Sequence, residues 1–98
     1  MNNIDLKFKI ENNVRHHEAK GFIFAVTNKS EKVILEKKLL AVSKIYGNKA
    51  MAVKKDDVVF IYNLDEDKLI GSFKALKDGY YDPLNSLFGV RYPYIVEI

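Results

Sequence analysis

Ile4, Leu6, Phe8 and Ile10 alternate with polar residues near the start of the chain. That period of two predicts a half-buried strand. Residues 11–20 are polar and predict a loop or the far limb of a hairpin. Gly21 then opens Phe22-Ile23-Phe24-Ala25-Val26-Thr27, a continuous apolar run short enough for a central strand. Ser30 is placed to cap the N-terminus of a helix over residues 31–38, with Glu31 in the favourable first turn. The consecutive Val33, Ile34 and Leu35 give that helix an imperfect apolar face, so two or three turns are expected. Leu39-Leu40-Ala41-Val42 leads away from it, and Gly47-Asn48 predicts a turn.

Val58-Val59-Phe60-Ile61-Tyr62 is a second buried-strand pattern, and residues 69–76 form a third. The polar connector of residues 63–68 between them predicts an antiparallel hairpin. Gly71 in mid-strand marks a bulge or a close backbone approach. Residues 77–89 read as a long loop, and residues 90–98 as a closing strand with Pro93 at its beginning or at an edge. Five or so strands and one or two short helices define an α+β domain. Strands far apart in sequence must pair, which predicts a mixed, strongly curved sheet or a small open barrel with a helix against it.

At 98 residues the chain is long enough for one domain and one modest core. No apolar run approaches the ~18–20 residues that span a bilayer, and the N-terminal residues lack the basic-then-apolar layout of a signal peptide. With no cysteine, disulfides, cysteine-based zinc sites and cysteine nucleophiles are excluded. A small cytoplasmic domain with no membrane association is expected.

The net charge of +3 is unevenly spread. Residues 20–55 carry nine lysines against Glu31 and Glu36, whereas residues 56–82 carry three lysines against seven acids. A basic block can supply phosphate contacts through counterion release, or it can be a lysine-rich solvated surface, and charge alone leaves both readings open. Fourteen of the sixteen basic residues are lysine, which suits diffuse phosphate contact better than bidentate reading of guanine edges.

Little else points to chemistry. His16 and His17 point to opposite sides of an extended segment and make a poor metal site. Asp65-Glu66-Asp67 lacks the alternating ligands and central glycine of a calcium loop and reads as a solvated turn. Asp56-Asp57, beside Lys54 and Lys55, reads as a turn stabilised by local charge before a strand rather than as a catalytic carboxylate pair. Glycine-rich phosphate loops and nucleophile motifs are missing, so no enzyme activity, cofactor or metal is expected. The aromatics are more informative. Phe22, Phe24, Phe60 and Phe73 lie in strands and belong to the core, whereas Tyr46, Tyr62, Tyr80, Tyr81, Tyr92 and Tyr94 lie near strand ends or loops. Such tyrosines either stack on bases or line the rim of a small core with their hydroxyls in water.

The order of these segments resembles a known family. The strand Gly21–Asn28, the helix running into Lys38-Leu39-Leu40-Ala41-Val42-Ser43, the strand Val58–Asn63 and the strand Leu69–Ala75 resemble the DCD (development and cell death) domain. That family has a Gly-x-Ile-Phe strand, a Phe-Gly-Leu-Pro segment, a Leu-Phe-Leu-Tyr strand and a Gly-x-Phe-x-Ala strand. Val53-Lys54-Lys55-Asp56-Asp57 is similar to the turn before a strand in EVE and YTH domains, and residues 92–98 are similar to the closing strand of EVE proteins. All three belong to the PUA-like superfamily, a small curved barrel with flanking helices. The resemblance implies a single PUA-like domain over residues 1–98, with residues 1–20 as an N-terminal strand and loop extension. Leu40-Ala41-Val42-Ser43 stands where the family has Phe-Gly-Leu-Pro, and the chain has no tryptophan, so an aromatic cage would need tyrosine or phenylalanine.

In YTH and EVE domains the pocket lies between the end of the first central strand and the segment after the first helix. The resemblance therefore implies a base pocket built from Thr27 and Asn28, with Ala41, Val42 and Ser43 as the facing wall and Tyr62 nearby. An asparagine amide offers donors and an acceptor to a base edge, and equally serves as a turn or capping residue before a helix. Lys29, Lys37, Lys38, Lys44, Lys49, Lys54 and Lys55 flank this pocket in sequence and are expected to hold phosphates. The expected function is a non-catalytic nucleic-acid-binding module, for DNA or RNA, that accepts a plain or modified base. It would act as the reader, or be a fragment, of a larger machine such as a nuclease, a motor or an RNA-modifying assembly. The alternative is a protein–protein interaction module, as plant DCD domains are usually discussed.

Overall fold

The computed structural model describes residues 6–11, 16–85 and 87–98. Strand β1 (Leu6–Glu11) pairs antiparallel with β2 (His16–Val26), placing Leu6 opposite Gly21 and Glu11 opposite His16. Of the two readings for residues 11–20, the hairpin limb is the one realised from His16 onward. The apolar half of β2 pairs in parallel with β4 (Val58–Asn63), Val26 lying opposite Asn63. β4 in turn pairs antiparallel with β5 (Lys68–Lys74), which gives a mixed sheet in the order β1-β2-β4-β5. A second, antiparallel sheet holds β3 (Leu39–Val42), β7 (Tyr94–Glu97) and β6 (Tyr80–Tyr81), with β7 in the middle. The α+β class and the long-range strand pairing are as the patterning predicts. The strands divide between two sheets, and among the described residues no closed barrel forms.

Phe22, Phe24 and Val26 of β2 and Val59 and Ile61 of β4 are buried on one face, where they meet Ile34, Leu40, Val42 and Val96. Burying each large apolar side chain favours folding by about 1.5–3 kcal/mol, so this shared face holds the two sheets and the first helix together. That helix, α1 (Asn28–Lys37), begins three residues earlier than Ser30 as a cap would require. Thr27 is the N-cap: its hydroxyl accepts from the Ser30 amide at 3.4 Å, and the Ser30 hydroxyl accepts from the Thr27 amide at 3.0 Å. This reciprocal box satisfies two otherwise orphaned donors. Lys38 closes α1 in the left-handed conformation (φ 62°), and the chain turns directly into β3.

The turn expected at Gly47-Asn48 is replaced by a 3₁₀ turn at Lys44–Tyr46 followed by α2 (Gly47–Ala52). Gly47 is required for packing rather than for a turn, since a Cβ there would lie 2.5 Å from the Tyr94 ring. Gly71 does mark a close approach: a Cβ would meet the Phe60 ring at 2.7 Å, beside a register shift in β4 between Val59 and Ile61. The closing strand expected over residues 90–98 is shorter, starting immediately after Pro93, a residue that cannot donate to a ladder.

The turn before β4 is held differently from the expectation of local charge pairing. Asp57 is buried, and its carboxylate accepts from the backbone amides of Lys54 at 2.8 Å and Lys20 at 3.0 Å. It thereby ties the turn to β2, while the Lys54 ammonium lies 4.0 Å from Asp78 on the surface.

On the second sheet the Tyr80 hydroxyl donates to Glu97 at 2.7 Å, and Lys77 lies 3.3 Å from the same carboxylate. Burial, helped by this hydrogen bond, pushes the phenol from its ordinary 10.0 up to about 12. The hydrogen bond from Tyr80 holds the Glu97 carboxyl below its usual range, with Lys77 assisting. A raised phenol favours the native state up to the ordinary value and loses that contribution between pH 10.0 and about 12. The lowered carboxyl contributes above its ordinary value and loses that contribution as pH falls through its native one. Urea midpoints measured across pH should therefore fall at both ends in the natural chain, and Tyr80→Phe should flatten both limbs.

Candidate functional site

β2 and β4 run in parallel and end together, with the Leu64 amide donating to the Val26 carbonyl at 2.9 Å. From that end one chain enters α1 and the other enters the acidic turn after Asn63. β3 returns beside α1 and leads into the 3₁₀ turn. Between these segments lie two confluent cavities, of about 410 and 430 Å³. The first has Phe24, Leu40 and Val42 as its floor and Ser43, Ile45 and Tyr46 along its side. The second lies against the first turns of α1, between Thr27, Lys29, Val33 and Phe88. Ala25, Val26, Ala41, Leu64 and Tyr92 line both.

Of the residues that the resemblance implies for a pocket, Thr27, Ala41, Val42 and Ser43 line these cavities. Asn28 and Tyr62 do not. The Asn28 amide nitrogen of the backbone donates to Asp65 at 2.8 Å, and its side-chain oxygen accepts from Asn63 at 2.8 Å. Asn28 is thus the first residue of α1, behind the Thr27 cap, and its backbone amide and side-chain oxygen are engaged by Asp65 and Asn63. Tyr62 shares its sheet face with Val58 and Phe60, opposite the buried face of Val59, Ile61 and Asn63, because side chains alternate along a strand.

The seven lysines also divide. Lys29 lines the second cavity, and Lys44 is exposed next to Ser43. Lys37 and Lys38 lie at the far end of α1, about 14 Å along its axis from Asn28. Lys54 and Lys55 precede β4, whose length puts them about 16 Å or more from the cavity end of the sheet. Lys49 corrects the expectation of a surface phosphate contact: it is only 9% exposed. Its ammonium donates to the Ile23 carbonyl and stands 4.6 Å from the Phe24 ring centroid, at the wall of the first cavity. A cation over an aromatic face is electrostatically favourable, and the carbonyl lessens its desolvation.

Three features lay outside the expected site. Asn63 is wholly buried, donates to Asn28 and to Glu31 at 2.7 Å, and accepts from the Glu66 amide at 2.9 Å, so it pins α1 to the acidic turn. Its signal was the alternation that puts residues 59, 61 and 63 on one face. Leu64 and Ile45 are 55% and 85% exposed, and nothing in sequence distinguishes such rim residues from core ones. Tyr46 and Tyr92, two of the tyrosines flagged for stacking, stand at the rim, and Tyr92 meets Phe88 edge-on at 6.1 Å. Among the described residues neither cavity is lined by a carboxylate; the charged side chains that line them are Lys29 and Lys49. Among the described residues no cluster of side chains is arranged to hold a metal ion, and no helix is long and apolar enough to cross a membrane.

A small α+β domain of two sheets, open at the end of its parallel strand pair, is the class that this geometry defines. Residues 20–98 match the model of the development and cell death domain, and the chain belongs to that family. The DCD part of the resemblance is thus borne out, and β1 lies outside the matched span. No curated protein matches the chain.

Proposed function

We propose that the domain is a non-catalytic nucleic-acid recognition module that accepts an unstacked base, plain or modified, in the groove between β2, β3 and the 3₁₀ turn. The observation that carries this reading is the lining of the groove: aromatic rings, aliphatic floor, and lysine as its charged side chain type. A base stacked on an aromatic ring gains roughly 1–3 kcal/mol, enough to offset the few kcal/mol of unstacking it from a strand. Recognition of the base edge falls to Ser43, since the Asn28 side chain is engaged by Asn63. The effector, such as a nuclease or RNA-modifying assembly, would lie on another chain or segment.

Fluorescence anisotropy with short DNA and RNA oligonucleotides, with and without a methylated base, tests this reading. Tyr92→Ala should weaken binding roughly 5- to 150-fold, whereas Lys54→Ala/Lys55→Ala should leave it nearly unchanged. With Lys29 and Lys44 as the phosphate contacts, log affinity should fall with log salt at a slope of about −1.4 for single strands. Absence of salt-dependent binding to every oligonucleotide would reject the reading. The protein-interaction alternative draws on the exposed Ile45 and Leu64 and on the acidic residues 65–67 beside Leu64, a mixed rim suited to a peptide.

A further inference from the structure

Resting on the base-binding reading, we infer that the groove holds two successive unstacked bases of one strand rather than a single base. The two cavities are nearly equal, at about 410 and 430 Å³, and share five lining residues, so an occupant of one lies directly beside an occupant of the other. Each has an aromatic ring of its own, Tyr46 in the first and Phe88 in the second, and Tyr92 lines both. Stacking surfaces in series, without a base-reading amide, match the sequence-tolerant mode by which single strands are held. Charge complementarity points to the same occupant: Lys29 lines the second cavity, and the exposed Lys44 stands next to Ser43 of the first. A duplex would have to extrude two neighbouring nucleotides to fill both cavities, which sets single strands as the preferred ligand.

The test varies the ligand and leaves the 98-residue chain intact. Hexanucleotides of the deoxy and ribo series are compared by calorimetry: all bases present, one base present with five abasic positions, two adjacent bases, two bases separated by an abasic position, and all positions abasic. Two adjacent bases should bind about 10-fold or more tighter than one, corresponding to one added stacking contact. They should come within about threefold of the full hexamer, and the separated pair should bind like the single base. The difference between the two series identifies the sugar. If one base binds as tightly as two adjacent ones, the two-base footprint is overturned while the base-binding reading stands. If the fully abasic hexamer binds as well as the others, or none binds at low salt, both fail.

Discussion

Asn63→Asp is expected to cost the domain about 4 kcal/mol at neutral pH, a large part of the ~5–15 kcal/mol that holds a typical native protein together. The Asn63 side chain is wholly buried and its nitrogen donates to the Asn28 oxygen and to the Glu31 carboxylate. An aspartate of the same shape turns both donated bonds into acceptor–acceptor contacts, one of them between two carboxylates. It retains only the acceptor for the Glu66 amide. A buried, uncompensated charge is among the costliest of substitutions, whereas losing one ordinary hydrogen bond costs about 1 kcal/mol. Acid should restore part of the loss, because a protonated carboxyl can donate. Equilibrium urea unfolding at pH 7 and pH 4 measures both effects, and a loss under 1 kcal/mol at pH 7 would contradict the network's role. The same variant loosens the start of α1, which forms one wall of the second cavity.

Gly79→Ala is expected to cost about 3 kcal/mol or more, at the upper end of what overpacking does. A Cβ at this position would lie 2.0 Å from the Ala50 carbonyl oxygen and 2.9 Å from its carbon. Both atoms belong to the backbone of α2, so no side chain can swing aside. The Gly79 amide also donates to the Val53 carbonyl at 3.0 Å, which fixes the segment against the end of that helix. Gly89→Ala provides the contrast: no atom lies within 4 Å of its Cβ, and only its φ of 90° disfavours a side chain. That substitution should cost about 1 kcal/mol. Thermal or urea melts of the two variants side by side measure the difference.

Much of the first sheet was legible along the chain because its signals are local. The apolar run from Phe22 and the alternation in Val58–Asn63 each mark a strand without reference to the rest of the molecule. α2 was not legible for the opposite reason. Its buried residues are Gly47, Lys49 and Ala50, a set with no apolar periodicity, and the helix exists because it packs on β7 and β6. Lys49 shows the same limit at the site: composition counts it as one more surface cation, whereas tertiary packing turns it inward onto Ile23 and Phe24. The walls Ala41, Val42 and Ser43 were found through resemblance of segment order, which fixes where a cavity opens but not which polar group faces it. Asn28 was the chemically apt choice for reading a base, and the buried Asn63 engages it first.

Backbone amide shifts of the ¹⁵N-labelled chain, followed as a short single-stranded oligonucleotide is added, test the central claim most directly. The expected result is saturable shifts centred on Ala25–Thr27, Lys29, Ala41–Lys44, Tyr46, Leu64, Phe88 and Tyr92, with Lys54 and Lys55 unmoved. Shifts centred on Lys54 and Lys55, or no shifts at saturating oligonucleotide, would contradict it.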